Sequence, residues 1–318
     1  MFGTVTSSEL KILREEPARW VPVALDIARS HGLPISDPEV FSTGTNLVVA
    51  LGRDVILKIF PPMLRHQFEA ERSSLLLLHG RLSVDVPRLI AAAERDGWSY
   101  LAMTRVPGET GEAVWGRFDD SEKDRFLHRI GEVIAEVQRQ PPGDLLQLGQ
   151  AWEPFLARQI QACRTRHERL GMPHKFLAGL DDYIADAASL LPRGIAPVIL
   201  TGEYIPENFI VTQGPDGWRL SGLIDFGDVM TGWGEYDLLG PSVFMAAGRA
   251  AWVRSLFHGF GYGDSCLDRT LSRRMMALCL LHQYSDPLRQ FRIEGWQKAQ
   301  DLYELERVLW PFGCEAAS

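Results

Sequence analysis

Apolar positions along the first hundred residues change period several times. Over residues 8–31 they recur at helical spacing, and Gly32 and Pro34 close the segment, so one helix is expected there. Leu47–Leu51 and Val55–Phe60 are instead short apolar runs on either side of Gly52-Arg53-Asp54, which is the pattern of a β-hairpin. The small polar residues Ser42-Thr43-Gly44-Thr45-Asn46 lie just before it and could lay backbone N–H groups over phosphates. Helical spacing returns over residues 64–79, with Phe68, Leu75 and Leu78 on the stripe, and residues 89–94 and 98–104 pair as a second hairpin across Asp96-Gly97. Residues 104–108 read as a linker. Helices are predicted beyond it from Ser121 to a stop at Pro141-Pro142, and over residues 152–167, 175–191, 243–260 and 271–309. Within this helical half, residues 208–211 and 218–224 read as two strands joined by the turn cluster Gly214-Pro215-Asp216-Gly217. The class expected is α+β: a small antiparallel-sheet first lobe, residues 1–105 with a helical segment over 1–37, and a mainly helical second lobe, residues 106–318.

Two charged residues interrupt the apolar pattern of the first half. Lys58 lies in a strand otherwise made of Val, Ile, Leu and Phe, where an unpaired ammonium would carry a large desolvation cost. Glu71 falls on the apolar stripe of the next helix and is the candidate partner. In the second half, Glu203 and Asn208 follow a short apolar run, and Asp225 ends another. Phosphoryl transfer needs a carboxylate near the attacking hydroxyl and oxygen ligands for the Mg²⁺ that neutralises the triphosphate. Glu203 can be the first, Asn208 and Asp225 the ligands, and a hairpin between residues 208 and 225 would return Asp225 towards Asn208.

This order of residues resembles the aminoglycoside phosphotransferase family, small-molecule kinases with a protein-kinase-like fold. That family usually has His-Gly-Asp or His-Ser-Asp, four residues, an Asn, and then Ile-Asp followed by an aromatic residue; here Gly202, Asn208, Ile224, Asp225 and Phe226 match, while Thr201 replaces the His and Glu203 the Asp. Glu71 with Gly80-Arg81-Leu82, Val86-Pro87 and Asp96-Gly97-Trp98 is similar to the first-lobe pattern of kanamycin-type members. The resemblance implies a bilobal fold and a kinase that uses ATP, or GTP as the alternative nucleotide, with Mg²⁺ as cofactor. Its acceptor would be a hydroxyl of a small cationic molecule, foremost an aminoglycoside antibiotic, and the family role would be antibiotic resistance. It further implies that Lys58, held by Glu71, orients the nucleotide phosphates under a loop containing Ser42 and Gly44, and that the adenine sits against Met103, Arg105 and Val106. Asn208 and Asp225 would hold Mg²⁺, with Glu203 as the catalytic carboxylate. Choline-like, sugar and amino-acid acceptors stay open, as does a nucleotide-binding pseudokinase. Asp237 reads as scaffold at the start of a helix, Glu207 as a solvated loop residue, and His282, Asp181, Asp182 and Asp186 as helix-surface residues or pocket lining.

With 318 residues, 46% of them hydrophobic, the chain can bury a large core. A net charge of −8 speaks against nucleic acid as a partner. No apolar run approaches the ~20 residues that span a bilayer, and the N-terminus lacks a signal-peptide pattern, so a cytoplasmic protein with no membrane partner is expected. Cys163, Cys266, Cys279 and Cys314 have no metal-ligand spacing and read as reduced thiols.

Overall fold

Five antiparallel strands in the order β1-β2-β3-β5-β4 make the sheet of the first half: β1 (Glu39–Phe41), β2 (Leu47–Leu51), β3 (Val55–Phe60), β4 (Leu89–Arg95) and β5 (Trp98–Thr104). The computed structural model describes residues 2–215 and 217–313. It divides into two units, Met1–Gly108 with Gly222–Val229, and Glu109–Ser221 with Met230–Ser318.

In the first unit, strand alternation sorts the sheet into two faces. Leu47, Val49 and Leu51 of β2 and Val55, Leu57 and Ile59 of β3 join Leu10, Leu13, Trp20 and Ile27 in one apolar core. Lys58 therefore points to the opposite face, in register with Val48 and Leu101. The helix expected over residues 8–31 is two helices, α1 (Ser7–Glu15) and α2 (Pro17–Ser30). The break is proline chemistry: Pro17 offers no N–H, and Glu16 before it leaves the helical region at φ −117°, ψ 68°. The structure also adds β1, which pairs Glu39–Phe41 with Ala50–Val48, so that residues 42–46 become the loop of a hairpin. The helix α3 (Arg65–Leu78) follows β3, and Phe60 meets Phe68 edge-to-face at 5.8 Å. Residues 222–229 join this unit where the Leu223 N–H donates to the Asp85 carbonyl at 2.9 Å.

In the second unit, the helix Asp120–Gln138 starts at an Asp119–Glu122 capping box and buries Ile130, Val133, Ile134 and Val137. Trp152–Arg169 is continuous. Three predicted helices are shorter than their apolar periodicity suggests. Residues 175–191 divide at Gly179 into His174–Ala178 and Leu180–Ala187. Residues 243–260 divide at Ala247 and Gly248, both left-handed, where a Cβ on Gly248 would stand 2.3 Å from the Val308 carbonyl oxygen. Residues 271–309 form Arg269–Leu281, Pro287–Gln290 and Leu302–Leu309, the first break lying just before Pro287. Periodicity reports the buried face of each piece, and it cannot register turns that keep that face buried.

The remaining strands complete the second unit. A short β6 (Glu109–Thr110) pairs with β8 (Phe209–Gly214), which pairs in turn with β9 (Gly217–Leu223). These are the two strands expected on either side of residues 214–217; Asp216 of that turn, like Cys314, lies outside the described residues. β7 (Val198–Leu200), the short apolar run expected before Glu203, pairs with β10 (Met230–Gly232), which no sequence pattern announced. No helix among the described residues is long and apolar enough to cross a membrane.

Candidate active site

In the first unit, Lys58 is 5% exposed and Glu71 1%, and the Lys58 Nζ lies 2.6 Å from Glu71 Oε2 and 2.8 Å from Asp225 Oδ1. β3 supplies the lysine on the face away from the apolar core, α3 supplies the glutamate, and residues 222–229 supply the aspartate. Burial disfavours the Lys58 charge, but the carboxylates of Asp225 and Glu71 outweigh it and hold the ammonium more firmly protonated than a free lysine. Burial pushes Glu71 up, with Lys58 opposing. Burial acts on Asp225 in the same sense, yet Lys58 and the Gly227 N–H win and its carboxyl is held below the usual range.

The geometry of Asp225 suits a cation. It adopts φ +62°, a left-handed conformation uncommon outside glycine and tolerated best by Asp and Asn. Both its contacts, from Lys58 Nζ and from the Gly227 N–H at 3.4 Å, fall on Oδ1. Its side chain is 39% exposed, so a carboxylate oxygen faces outward.

A second set of polar groups lies on the same face of the sheet and escaped the sequence reading. The buried Asn46 donates from Nδ2 to Gln67 Oε1 at 3.2 Å, and Gln67 donates from Nε2 to Asp228 Oδ1 at 3.3 Å. Gln67 precedes Glu71 by four residues on α3, so the two share a helical face, and that spacing was the available signal. Ser42 and Gly44 are exposed in the loop that Asn46 ends, and the Gly44 carbonyl accepts from Arg14. Met103 is buried in β5 between Ile56 and Leu89, and Val106 is buried just beyond the strand. Arg105 is committed within the unit, its N–H donating to the Asp54 carbonyl at 2.8 Å and its guanidinium pairing with Glu39 at 2.8 Å.

In the second unit, β7 runs into the loop that carries Glu203 and Asn208. Asp237, 3% exposed, accepts from the Thr201 N–H and the Gly202 N–H, both at 3.1 Å. Asp237 is thus scaffold, though not by capping a helix: it lies inside the 3₁₀ turn Gly234–Leu238 and ties down the start of the loop. Burial pushes its carboxyl up to about 7 against those hydrogen bonds. Gly202 turns the chain at φ +76°. Asn208 Nδ2 then donates to the Glu203 carbonyl at 3.1 Å, which fixes the amide orientation and turns Oδ1 away as an acceptor. Glu207 is exposed.

Glu203 lines a pocket that encloses about 690 Å³, its solvent-open mouth included. Other walls come from Tyr204, Tyr236, Phe244, His282 and Tyr284. A Cβ on Gly240 would stand 2.4 Å from the Tyr204 carbonyl oxygen, so glycine lets this wall approach the loop. Asp181 and Asp186 are not in the lining; they pair with Arg164 at 2.5 Å and Arg273 at 2.8 Å. Asn208 and Asp225 each present an oxygen suited to a hard cation such as Mg²⁺. Among the described residues no group of three or more His, Cys, Asp or Glu is placed to hold a metal.

A search of curated protein sequences found no match. The family model of the phosphotransferase enzyme family, APH, matches residues 38–278. Among solved structures, the GDP complex of wild-type aminoglycoside 2'-phosphotransferase-IIIa is 20% identical, with a TM-score of 0.62 over 90% of this chain and 96% of that one. The streptomycin–ATP ternary complex of APH(2")-IIa is 15% identical, with a TM-score of 0.55 over 83% and 91%. Macrolide 2'-phosphotransferase from Brachybacterium faecium is 18% identical, with a TM-score of 0.54 over 83% and 98%. At these identities the likeness establishes the fold, the kinase-like α+β class expected from the sequence.

Proposed function

The chain belongs to the phosphotransferase enzyme family, and from that premise we propose that it transfers the γ-phosphoryl group of ATP to a hydroxyl of a small molecule. The observation that supports this most is the buried ammonium of Lys58 between Glu71 and Asp225. Three buried or half-buried charges are costly to keep, and a purely structural role would be served as well by apolar side chains of similar volume. Oriented on the α- and β-phosphates, Lys58 would neutralise charge that the nucleotide brings, with Glu71 fixing its direction. Ser42 and Gly44 would cover the phosphates, and Met103 and Val106 would contact the base. Residues 1–105 would form the nucleotide lobe and 106–318 the acceptor lobe.

Asp225 and Asn208 would hold Mg²⁺ through Oδ atoms, and the ion would supply charge neutralisation on the β- and γ-phosphates. The acceptor oxygen forms a bond to the γ-phosphorus as the bond to the bridging oxygen breaks. The electron pair leaves with ADP, and the hydroxyl proton passes to Glu203. Glutamate is one methylene longer than the family's aspartate, and the Asp237 clamp on Thr201 and Gly202 holds the backbone from which it reaches. Neighbouring structures contain GDP, ADP or ATP, which supports nucleotide binding and leaves GTP as the alternative donor. Complexes of neighbours with kanamycin, gentamicin and streptomycin favour a hydroxylated amine as acceptor. The test is transfer of labelled γ-phosphate to a panel of hydroxylated amines with and without Mg²⁺, read by product mass. A phosphorylated product that vanishes in Glu203→Gln and Asp225→Asn is expected. Tight nucleotide binding without product from any acceptor would favour the pseudokinase.

A further inference from the structure

Polar side chains line much of the pocket beside Glu203, but most are already engaged, and the buried Tyr204 hydroxyl and the Cys279 thiol carry no charge. Asp237 gives both oxygens to the amides of Thr201 and Gly202. Gln290 donates to the Tyr284 carbonyl at 2.8 Å and accepts from the Asp286 N–H at 2.9 Å. The Tyr236 hydroxyl accepts from the Gln283 N–H at 3.2 Å. His282 stacks on Tyr236 with centroids 4.6 Å apart and accepts the Tyr284 N–H on Nδ1. Burial, with Arg166 adding to it, lowers His282 to about 4, so the ring is neutral at physiological pH. Glu203, the other carboxylate in the lining, is assigned to the reacting hydroxyl.

The apolar part of the wall is Ile205, Leu239, Val243 and Phe244 with the rings of Tyr204, Tyr236 and Tyr284. Four carboxylates elsewhere in this unit are tied to arginines: Glu235 to Arg274 at 2.5 Å and Glu306 to Arg273 at 2.6 Å, in addition to Asp181 and Asp186. Arg166, whose charge His282 feels, donates to Gln159 and to the Leu280 carbonyl, and no carboxylate among the described residues pairs with it. A polyamino sugar would thus bring several ammonium groups to a pocket whose lining carboxylates are Glu203, at the reacting hydroxyl, and Asp237, committed to two amides, and most of those ammonium groups would carry the cost of an unpaired desolvated charge. An aromatic wall instead suits a carbon-rich face, or one alkylated ammonium over a ring.

We propose that the acceptor enters this pocket by an apolar face bearing at most one ammonium group, and that polyamino sugars are poor acceptors. This rests on the phosphotransferase reading above and narrows its substrate class. The probes are erythromycin, a macrolide whose single amine is a dimethylamino group, and kanamycin, which carries several primary amines. Calorimetric titration of the full chain with each, in the presence of Mg²⁺ and a non-hydrolysable ATP analogue, is followed by transfer assays with ATP. Erythromycin is expected to bind at least about ten-fold more tightly and to be the better acceptor. In Phe244→Glu, which adds a carboxylate at a half-buried wall position, the preference is expected to shift towards kanamycin by about ten-fold. Equal or tighter binding of kanamycin by the native chain overturns the proposal, and so does binding of neither probe. The underlying reading is scored separately by titration with Mg²⁺ and the ATP analogue alone. Absence of nucleotide binding sinks the kinase itself, whereas nucleotide binding with phosphorylated kanamycin sinks only the acceptor class.

Discussion

Glu71 in the first unit and Asp237 in the second are both buried carboxylates, 1% and 3% exposed, and burial pushes both upward. Their partners differ. Glu71 faces the Lys58 ammonium, which also reaches Asp225, so it is one of three charges held together. Asp237 faces two backbone amides, so its carboxyl holds a loop in place and presents nothing. Family motifs would mark both residues as important, yet only the identity of the partner separates a group poised for a ligand from a group that shapes the backbone.

The comparison is broken most directly at Asp225. Asp225→Asn keeps the size and removes the charge, and it is expected to lower phosphoryl transfer by about 10³-fold, the scale of losing one preorganised electrostatic contact to the transition state. Measured kcat with saturating Mg²⁺ and nucleotide checks it, and a loss under ten-fold would mean that Asp225 is not a ligand. Next in size is the fate of the ion pair itself. Lys58→Met leaves Glu71 buried without its ammonium and should cost about 3–5 kcal/mol of stability. Adding Glu71→Leu should restore most of that while activity stays absent. Denaturant unfolding of the single and double variants reads the coupling; if the double variant is no more stable than Lys58→Met, the pair is not the source of the cost.

Much of this contrast was legible in the chain. Lys58 stood out because a strand of Val, Ile, Leu and Phe leaves an ammonium nowhere to go, and Glu71 because it interrupts an apolar helical stripe; both signals come from the cost of burying charge. Asp237 gave a weaker signal, since a carboxylate near a helix start has a ready explanation in capping, and its two amide partners lie some 35 residues away in sequence. The Asn46–Gln67–Asp228 set was missed because neutral amides are common on surfaces and only long-range packing reveals that Asn46 and Gln67 are buried. Pro17 was a visible break passed over in favour of apolar spacing. Of the aromatic wall, only the segment of His282 and Tyr284 was named as possible pocket lining; its meeting with Tyr204, Tyr236 and Phe244 could not be read, because these residues come from separate stretches of the second unit.

Asp237 sharpens the comparison through pH. Its folded carboxyl titrates near 7 and its unfolded one near 3.8, so between those values the native state keeps a proton that the unfolded chain has lost. Stability contributed by this group is therefore greatest at the acid end and falls as pH rises through the window, with a slope of at most about 1.4 kcal/mol per pH unit. Asp237→Asn cannot titrate, so the difference in unfolding free energy between the variant and the native chain should vary with pH between about 4 and 7 and be flat above. A constant difference across that window would show that Asp237 is ionised throughout, which would make it resemble Asp225 rather than contrast with it.

The smallest expected effect tests whether neutral polar contacts near Lys58 behave like the amide clamp on Asp237 or like the ion pair. Asn46→Ala removes the donor to the buried Gln67 Oε1 and should cost about 1–3 kcal/mol, because that acceptor is left without a partner. Gln67→Ala removes the acceptor from Asn46 and the donor to Asp228, so it should cost a similar amount. The double variant should lose less than the sum of the two, with a coupling of about 1 kcal/mol. If the set only supports packing, nucleotide KM will follow stability and kcat will stay level. If it places the loop that ends at Asn46, KM for the nucleotide will rise several-fold in both single variants at temperatures where each is fully folded. Additive stability losses with unchanged KM would leave Lys58, Glu71 and Asp225 as the whole of the functional polar chemistry on that face of the sheet.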